Sequence, residues 1–268
     1  MKDAGISVIV CCYNSANRIE LTLEHLALQI VSESLKWEII LIDNNSSDNT
    51  SAIAKAFMAS HSDPISFSIV AEPNPGLSHA RNKGFEKAKY EIILMVDDDN
   101  SLSPNYVEGI YRGFENDLSI GMVGGLGIAA LDTDPPDWFE NYAYCFAVGE
   151  QNPDEHLYGA GLGLRMSALS KLRRAGFKSL LSDRTGNNLM SGGDTELCFA
   201  FRLAGYKLIY KPELTFKHHL SKERINWSYI KRLFSGFGQS KAFMEVYTSV
   251  ISGKPLPKEG ESPFWKDR

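Results

Sequence analysis

Three consecutive carboxylates, Asp97, Asp98 and Asp99, follow the apolar run EIILMV. Side by side they repel one another and resist leaving water unless a cation or hydrogen-bond donors compensate them. Mg2+ and Mn2+ take carboxylate oxygens and bridge to substrate phosphates, so a bound divalent ion resolves the repulsion. A solvated turn, or a capping cluster ahead of Ser103, accounts for the same residues without a metal. Two more acids, Asp43 and Asp48, follow the run WEIILI. Asp48 is read as the cap of the next helix. Asp43 stands at the same kind of strand end as the aspartate triplet, where a carboxylate can accept hydrogen bonds from a base N–H or a ribose hydroxyl.

Asp194 and Glu196 follow Ser191-Gly192-Gly193. Complementarity to a helix dipole is enough to explain Glu196. Asp194, carried on a glycine hinge, is the candidate general base. His218 and His219 are candidate metal ligands with an equally available structural reading. There is no G-x-G-x-x-G after the first strand and no G-x-x-x-x-G-K-[ST], while GAGLG at 159–163 lacks a strand-loop-helix setting. A diphosphate would then be held through a metal and a few basic side chains, for which Arg81 and Lys83 are candidates. Trp138, beside Phe139 and Tyr142, suits either stacking on an acceptor sugar or anchoring its own loop.

These residues need a scaffold, and the hydrophobic periodicity supplies one. Strands are expected at Ile6–Cys12, Trp37–Ile42, Ile65–Ala71, Glu91–Val96 and Met122–Ile128. Helical spacing joins Ile19, Leu23, Leu26 and Ile30, then Ile53 and Phe57, then Leu77, Ala80 and Phe85. A fourth helix carries Val107, Ile110, Tyr111 and Phe114, with Ser103 as its expected cap and Pro104 in its first turn. Ile- and Val-rich strands joined by helices predict an α/β fold with a mostly parallel sheet covered on both faces. In such sheets ligands bind beyond the carboxyl ends of the strands, where Tyr13-Asn14, Asp43 and Asp97–Asp99 all fall. Residues 131–150 read as a loop-rich insertion beside the site, followed by a strand-like Tyr158–Leu164 and a helix to Gly176. The 182–193 stretch reads as a polar loop, and a helix over Asp194–Leu203 precedes a strand-like Leu214–Lys217.

The formal charge of the 268 residues is -5, without the basic excess of a nucleic-acid binder. Four cysteines show no ligand spacing and read as buried hydrophobes in a reducing compartment. No apolar segment approaches the roughly 20 residues of a membrane span, and the first residues do not read as a signal peptide, so a cytoplasmic protein is expected. From Arg202 to Lys241 nine Lys/Arg stand against two Asp/Glu, and Ile230, Leu233, Phe234 and Phe237 form an apolar helical stripe. The stripe fits packing on the main body, or peripheral docking on an anionic membrane at its inner face.

With these residues laid out, the chain resembles glycosyltransferase family 2, the inverting enzymes of GT-A fold. The resemblance runs through SVIVCCYNSANRIELTLEHL, EIILIDNNSSDNT, NPGLSHARNKGFEKA, EIILMVDDDNSLSP and SGGDTELCFAFRLAGYKLIY, from about Ile6 to Tyr210. It implies a Rossmann-like, nucleotide-diphospho-sugar transferase domain over 1–220, with a nucleotide-binding half at 1–130 and an acceptor half at 131–220. A C-terminal helical appendage occupies 221–268. It implies transfer of a single sugar from a nucleotide-diphosphate sugar to an acceptor hydroxyl, with Mn2+ or Mg2+, in bacterial cell-surface polysaccharide or glycolipid synthesis.

By position, Asp194 matches the catalytic base and Asp43 the acid that holds the nucleotide base. Asp97 matches the first acid of D-x-D, Asp99 the metal-binding acid, and Arg81 with Asn82 the A-R-N segment near the donor. Tyr13, Asn14 and Asp98 complete the expected donor site. His218 is the looser match to a late metal contact, and Trp138 with Glu196 are expected on the acceptor side. Gly193 replaces the acid that usually precedes the base. The Q-x-x-R-W signature of processive synthases is absent. The acceptor is read as a saccharide or a lipid-linked saccharide. A sugar-nucleotide nucleotidyltransferase and a non-catalytic sugar-nucleotide binding protein are the alternative readings.

Overall fold

The computed structural model describes residues 2–61, 65–181, 183–184 and 191–253. Of the expected polar loop, residues 182 and 185–190 lie outside the described residues, as do residues 254–268 of the expected appendage.

Strand β1 is Asp3–Cys12, β2 Trp37–Asp43, β3 Phe67–Ala71 and β4 Tyr90–Asp97. The first three crossovers carry α1 Ile19–Ala27, α2 Thr50–Ala59 and α3 Leu77–Lys87. The short β5 Asn100–Leu102 leads into α4 Tyr106–Arg112 and the long β6 Ile120–Leu131. The single turn α5 Phe139–Tyr142 opens the insertion, and β7 Leu162–Arg165 and α6 Met166–Arg174 follow it. The chain continues with α7 Gly193–Leu203, β8 Lys207–Leu220 and α8 Trp227–Ile251.

All eight strands join one sheet in the order β3-β2-β1-β4-β7-β6-β8-β5. The β3-β2-β1-β4 half is parallel, β7 is antiparallel to both β4 and β6, β8 is parallel to β6, and β5 is antiparallel to β8. The α/β fold expected from the alternating pattern is therefore the fold observed.

Successive side chains of a strand point to opposite faces, and the two cores follow that alternation. Val8, Val10, Ile39, Leu41 and Leu94 pack on one face with Leu23 and Leu26 of α1 and Ile110 of α4. Ile9, Ile40, Ile42, Ile93 and Met95 pack on the other with Phe85 of α3, Leu169 of α6 and Phe201 of α7. Each such side chain, taken out of water, contributes about 1.5–3 kcal/mol before the entropy of ordering is set against it.

Some expected boundaries move. Ile30 lies beyond α1 and is 69% exposed, because the chain turns there and its N–H bonds Pro104 instead. Ser103 does not cap α4 with its side chain, whose hydroxyl is buried without a partner among the described residues. Asp48 does support the start of α2, accepting the Thr50 N–H at 3.1 Å. Of the strand-like 158–164 only the end is strand. Leu214–Lys217 is part of a 14-residue strand whose Lys-Pro-Glu interruption hides its period, and its register with β6 shifts there.

A third cluster joins Phe139, Cys145 and Phe146 of the insertion to Leu220 and to Ile230 and Leu233 of α8. The apolar stripe of the last helix thus packs on the main body at three of its four positions, Ile230, Leu233 and Phe237, while Phe234 remains 41% exposed. Among the described residues no helix is long and apolar enough to cross a membrane.

Candidate active site

Parallel register brings the carboxyl ends of the central strands to one edge: Cys12 pairs with Asp43 and Cys11 with Asp97. Beyond that edge opens a cavity of about 730 Å³. Its wall includes Tyr13, Arg81, Asp97, Asp98, Asp99, Asp194 and His218, so acids from residues 97–99 and from 194 share one cleft. The insertion contributes Tyr144, Phe146 and Glu150, which matches the expectation that it lies beside the site.

Each acid of the triplet has a different neighbourhood. Asp97 lies on the wall, and its carboxylate accepts no hydrogen bond from any described residue. Asp98 is buried and spent on the protein itself: Arg18 donates to both its oxygens, at 3.1 and 2.8 Å, and the Ser15 hydroxyl to one of them. Burial, then the adjacent Asp99 charge, raises its carboxyl above the usual range in spite of Arg18. Asp98 therefore fastens the Tyr13–Arg18 loop to the end of β4 while it lines the cavity. Asp99 sits 3.3 Å from His218 Nε2 and 2.8 Å from Arg224 Nη1. Burial pushes its carboxyl up, but the His218 ring and the Arg224 guanidinium more than reverse this and hold it well below the carboxylate range.

The β5–β8 ladder creates that contact, pairing Asn100 with His218. His218 Nδ1 lies 2.6 Å from the Phe146 carbonyl and donates to it, which fixes the ring with Nε2 turned toward Asp99. His219 points to the other face of the strand, where its Nε2 meets Ser101 Oγ at 2.8 Å. Between the two histidines, only His218 shares the cavity with the acids. An imidazole nitrogen and a carboxylate oxygen converge on one point, with the ring fixed from behind by a carbonyl; both are donor types that a divalent ion takes, and among the described residues no third His, Cys, Asp or Glu completes a metal-holding group with them.

On the opposite wall Asp194, in the first turn of α7, accepts the N–H groups of Gly159 at 2.8 Å and Thr195 at 2.9 Å, one per oxygen. Each oxygen keeps a further lone pair for an acceptor hydroxyl. A Cβ on residue 159 would stand 2.9 Å from Asp194 Oδ2 and 2.7 Å from Arg81 Nη2, so glycine there lets the backbone reach the acid. Arg81 is nearly buried. Although desolvation opposes its charge, Asp183, Asp194 and Asp97 keep it firmly protonated.

Sequence reasoning missed Asp183, whose Oδ2 lies 3.4 Å from Arg81 Nη1 and whose Oδ1 accepts the Gly193 N–H at 2.8 Å. A Cβ on residue 193 would fall 2.2 Å from that carboxylate. The space that a side chain at 193 would take is filled by an acid from the preceding loop. The only signal available was the glycine itself, at a position where an acid was expected.

Other expected residues fall elsewhere. Asp43 stands beside the cavity, where its oxygens accept the Ser46 N–H at 2.9 Å and the Ser51 hydroxyl. Asn14 braces the first loop to the second, its Oδ1 accepting the Ser47 N–H at 2.8 Å, rather than lining the cavity. Exposed Asn82 accepts from Arg173 at 2.6 Å, and Lys83 lies 3.7 Å from Glu72. Neither lines the cavity. Trp138 is part of an aromatic cluster, 5.0 Å from the Trp227 ring, and anchors the insertion against α8 instead of facing the acceptor space. Glu196 is fully buried and accepts from the Leu180 N–H at 2.9 Å and the Tyr247 hydroxyl at 3.0 Å, so it is a strut and not an acceptor contact. Helical spacing explains it: two residues on from Asp194 the side chain points about 200° away.

A Rossmann-like sheet with acids gathered over its carboxyl ends defines a nucleotide-sugar-transferase architecture of the GT-A kind, and solved structures agree. The mannosyltransferase PcManGT of Pyrobaculum calidifontis, solved with GDP-Man and Mn2+, superposes with a TM-score of 0.65 at 20% identity, covering 90% of this chain and 66% of that one. S. aureus TarS superposes with a TM-score of 0.61 at 16% identity, covering 91% and 65%. The family description "Glycosyl transferase family 2" matches residues 7–177, well over half of the chain, and the protein belongs to that family.

Among its relatives, the glucosyl-dolichyl phosphate glucuronosyltransferase of Haloferax volcanii is 22% identical over 90% of this chain and 77% of its own. A poly-beta-1,6-N-acetyl-D-glucosamine synthase of Staphylococcus epidermidis is 31% identical over 94% of this chain and 58% of its own. The chain spans only 34% of another relative, the putative glycosyltransferase EpsH of Bacillus subtilis.

Proposed function

We propose that the protein transfers one glycosyl group from a nucleoside diphosphate sugar to an acceptor hydroxyl, with inversion at the anomeric carbon. The carrying observation is that Asp99 with His218, Arg81 and Asp194 all line one cavity over the strand ends. Asp194 accepts the proton of the acceptor hydroxyl as that oxygen attacks the anomeric carbon, and the bond to the diphosphate oxygen breaks on the opposite side. Arg81, charged and nearly buried, meets the anionic donor from the same wall. A divalent ion held by Asp99 and His218 would neutralise the departing diphosphate. Half-exposed Tyr13, on the rim beside Asp43, offers a ring face to the nucleotide base. The donor class and the ion are supported by PcManGT, solved with GDP-Man and Mn2+, and by TarS, solved with UDP-GlcNAc.

A thermal-shift series with UDP-, GDP- and dTDP-sugars, with and without Mn2+, tests this reading. One nucleotide class is expected to raise the melting temperature only when Mn2+ is present, because a ligand at about 100 times its Kd adds about 2.7 kcal/mol. Asp99→Asn should abolish that rise. No shift with any donor, or an equal shift in chelator, would defeat the proposal. Donor hydrolysis that stops on chelation separates it from a non-catalytic binding protein.

The acceptor is included in the proposal as a lipid-linked saccharide. On α8, Phe243, Val246 and Val250 recur at helical spacing and are 42–50% exposed, next to the segment with nine Lys/Arg against two acids. Vesicles rich in phosphatidylglycerol are expected to sediment the protein at low salt and release it at high salt, with phosphatidylcholine vesicles binding little. Absence of binding to either would leave a free saccharide as the acceptor.

A further inference from the structure

Arg224 stands where a cation would have to act. Its Nη1 lies 2.8 Å from Asp99 Oδ2 and 3.4 Å from His218 Nε2, and those two acceptors are 3.3 Å apart. A divalent ion held by Asp99 and His218 would have a permanently charged nitrogen as its close neighbour. The guanidinium is set in place by packing: its carbon is 5.9 Å from the Phe146 ring and 5.8 Å from the Tyr229 ring. Its side chain is 18% exposed, and its Nε is buried with no hydrogen-bond partner among the described residues. An orphaned donor in a buried cation marks a resting position that is not fully satisfied and has something to gain by moving.

We infer that Arg224 is a built-in counter-ion that keeps the Asp99–His218 pair closed to free divalent metal and yields only when the anionic donor arrives. Without the donor, the guanidinium neutralises Asp99 and repels a second cation. A diphosphate brings negative charge that offsets that repulsion and offers the guanidinium, Nε included, a planar two-point acceptor. The metal then enters with the nucleotide and not before it. The effect follows from linkage: the apparent affinity for metal falls by the fraction of molecules in which the pair is free.

This inference rests on the proposed metal-dependent transfer, and the test keeps the two apart. Mn2+ binding to the full chain is measured by calorimetry, with Mn2+ alone and with UDP or GDP in excess. Wild type is expected to bind Mn2+ alone weakly, and at least about tenfold more tightly with one of the nucleotides. Arg224→Gln should bind Mn2+ alone at least about tenfold more tightly than wild type and lose most of the nucleotide dependence. Arg224→Lys keeps the charge and should still bind Mn2+ alone weakly, unlike Arg224→Gln, while the loss of the two-point contact to a diphosphate lowers the gain given by nucleotide. Equal Mn2+ affinity in Arg224→Gln and wild type, or a wild-type affinity indifferent to nucleotide, would overturn the role of Arg224 alone. The second readout needs no variant and holds even if the glutamine protein does not fold. No Mn2+ binding by wild type under any of these conditions would overturn the metal-dependent reaction and this inference together.

Discussion

Asp194→Asn is expected to lower turnover by roughly 10²- to 10⁴-fold while the melting-temperature rise given by donor and Mn2+ stays near that of wild type. Asparagine keeps the shape of the side chain and can still accept the Gly159 N–H through its amide oxygen, a bond of 2.8 Å in the native protein. What it removes is the carboxylate able to take a proton. The separation of the two readouts is the informative part. The binding wall, with Arg81 and the Asp99–His218 pair, belongs to other elements of the cleft, and the proton acceptor is carried on α7. If turnover survives unchanged, the base lies elsewhere, and Asp183, which shares the cavity wall and the Arg81 contact, becomes the residue to replace next. If donor binding falls with turnover, Asp194 supports the site's shape and not its chemistry.

The largest effect on stability is expected at Glu196. Glu196→Ala should cost about 3 kcal/mol or more, read as a lower denaturation midpoint, because it strands several buried donors at once. The Leu180 and Leu181 N–H groups and the Ser179 and Tyr247 hydroxyls all donate to this one carboxylate. These contacts tie the chain after α6 and the C-terminal helix to α7, two residues from the proposed base. Glu196→Gln keeps an acceptor oxygen and should fall between alanine and wild type. A Glu196→Ala protein as stable as wild type would show that water fills the gap and takes over these donors without penalty.

The contrast between Asp194 and Glu196 shows how far residue type and spacing carry. Both are acids in one first helical turn behind a glycine pair, and local rules make each a dipole partner. Which of them meets the cavity depends on how α7 is rolled against the sheet, set by Cys198 packing on Met122 and Leu157 and Phe201 on Tyr206. Similarly, Asp97, Asp98 and Asp99 are equivalent on paper. The β4 pleat, the reach of Arg18 and the β5–β8 ladder divide them into a wall residue near the Arg81 charge, a structural brace and a partner of His218. Trp138, whose ring suits a sugar face, and Asn82, which the family resemblance places near the donor, are both taken up by neighbours from other parts of the chain.

What the amino-acid sequence determined on its own was the sheet, its two faces and the edge where ligands meet it. Those features are written in periods of two and of about three and a half residues, and burial of apolar side chains enforces them element by element. The placement of polar side chains was decided by tertiary structure. Arg224 reaches Asp99 across 125 residues, Asp183 reaches Arg81 across 102, and Tyr247 reaches Glu196 across 51. No local period encodes such meetings, because each is fixed by the packing of whole elements and by the cost of leaving a charge buried without a partner.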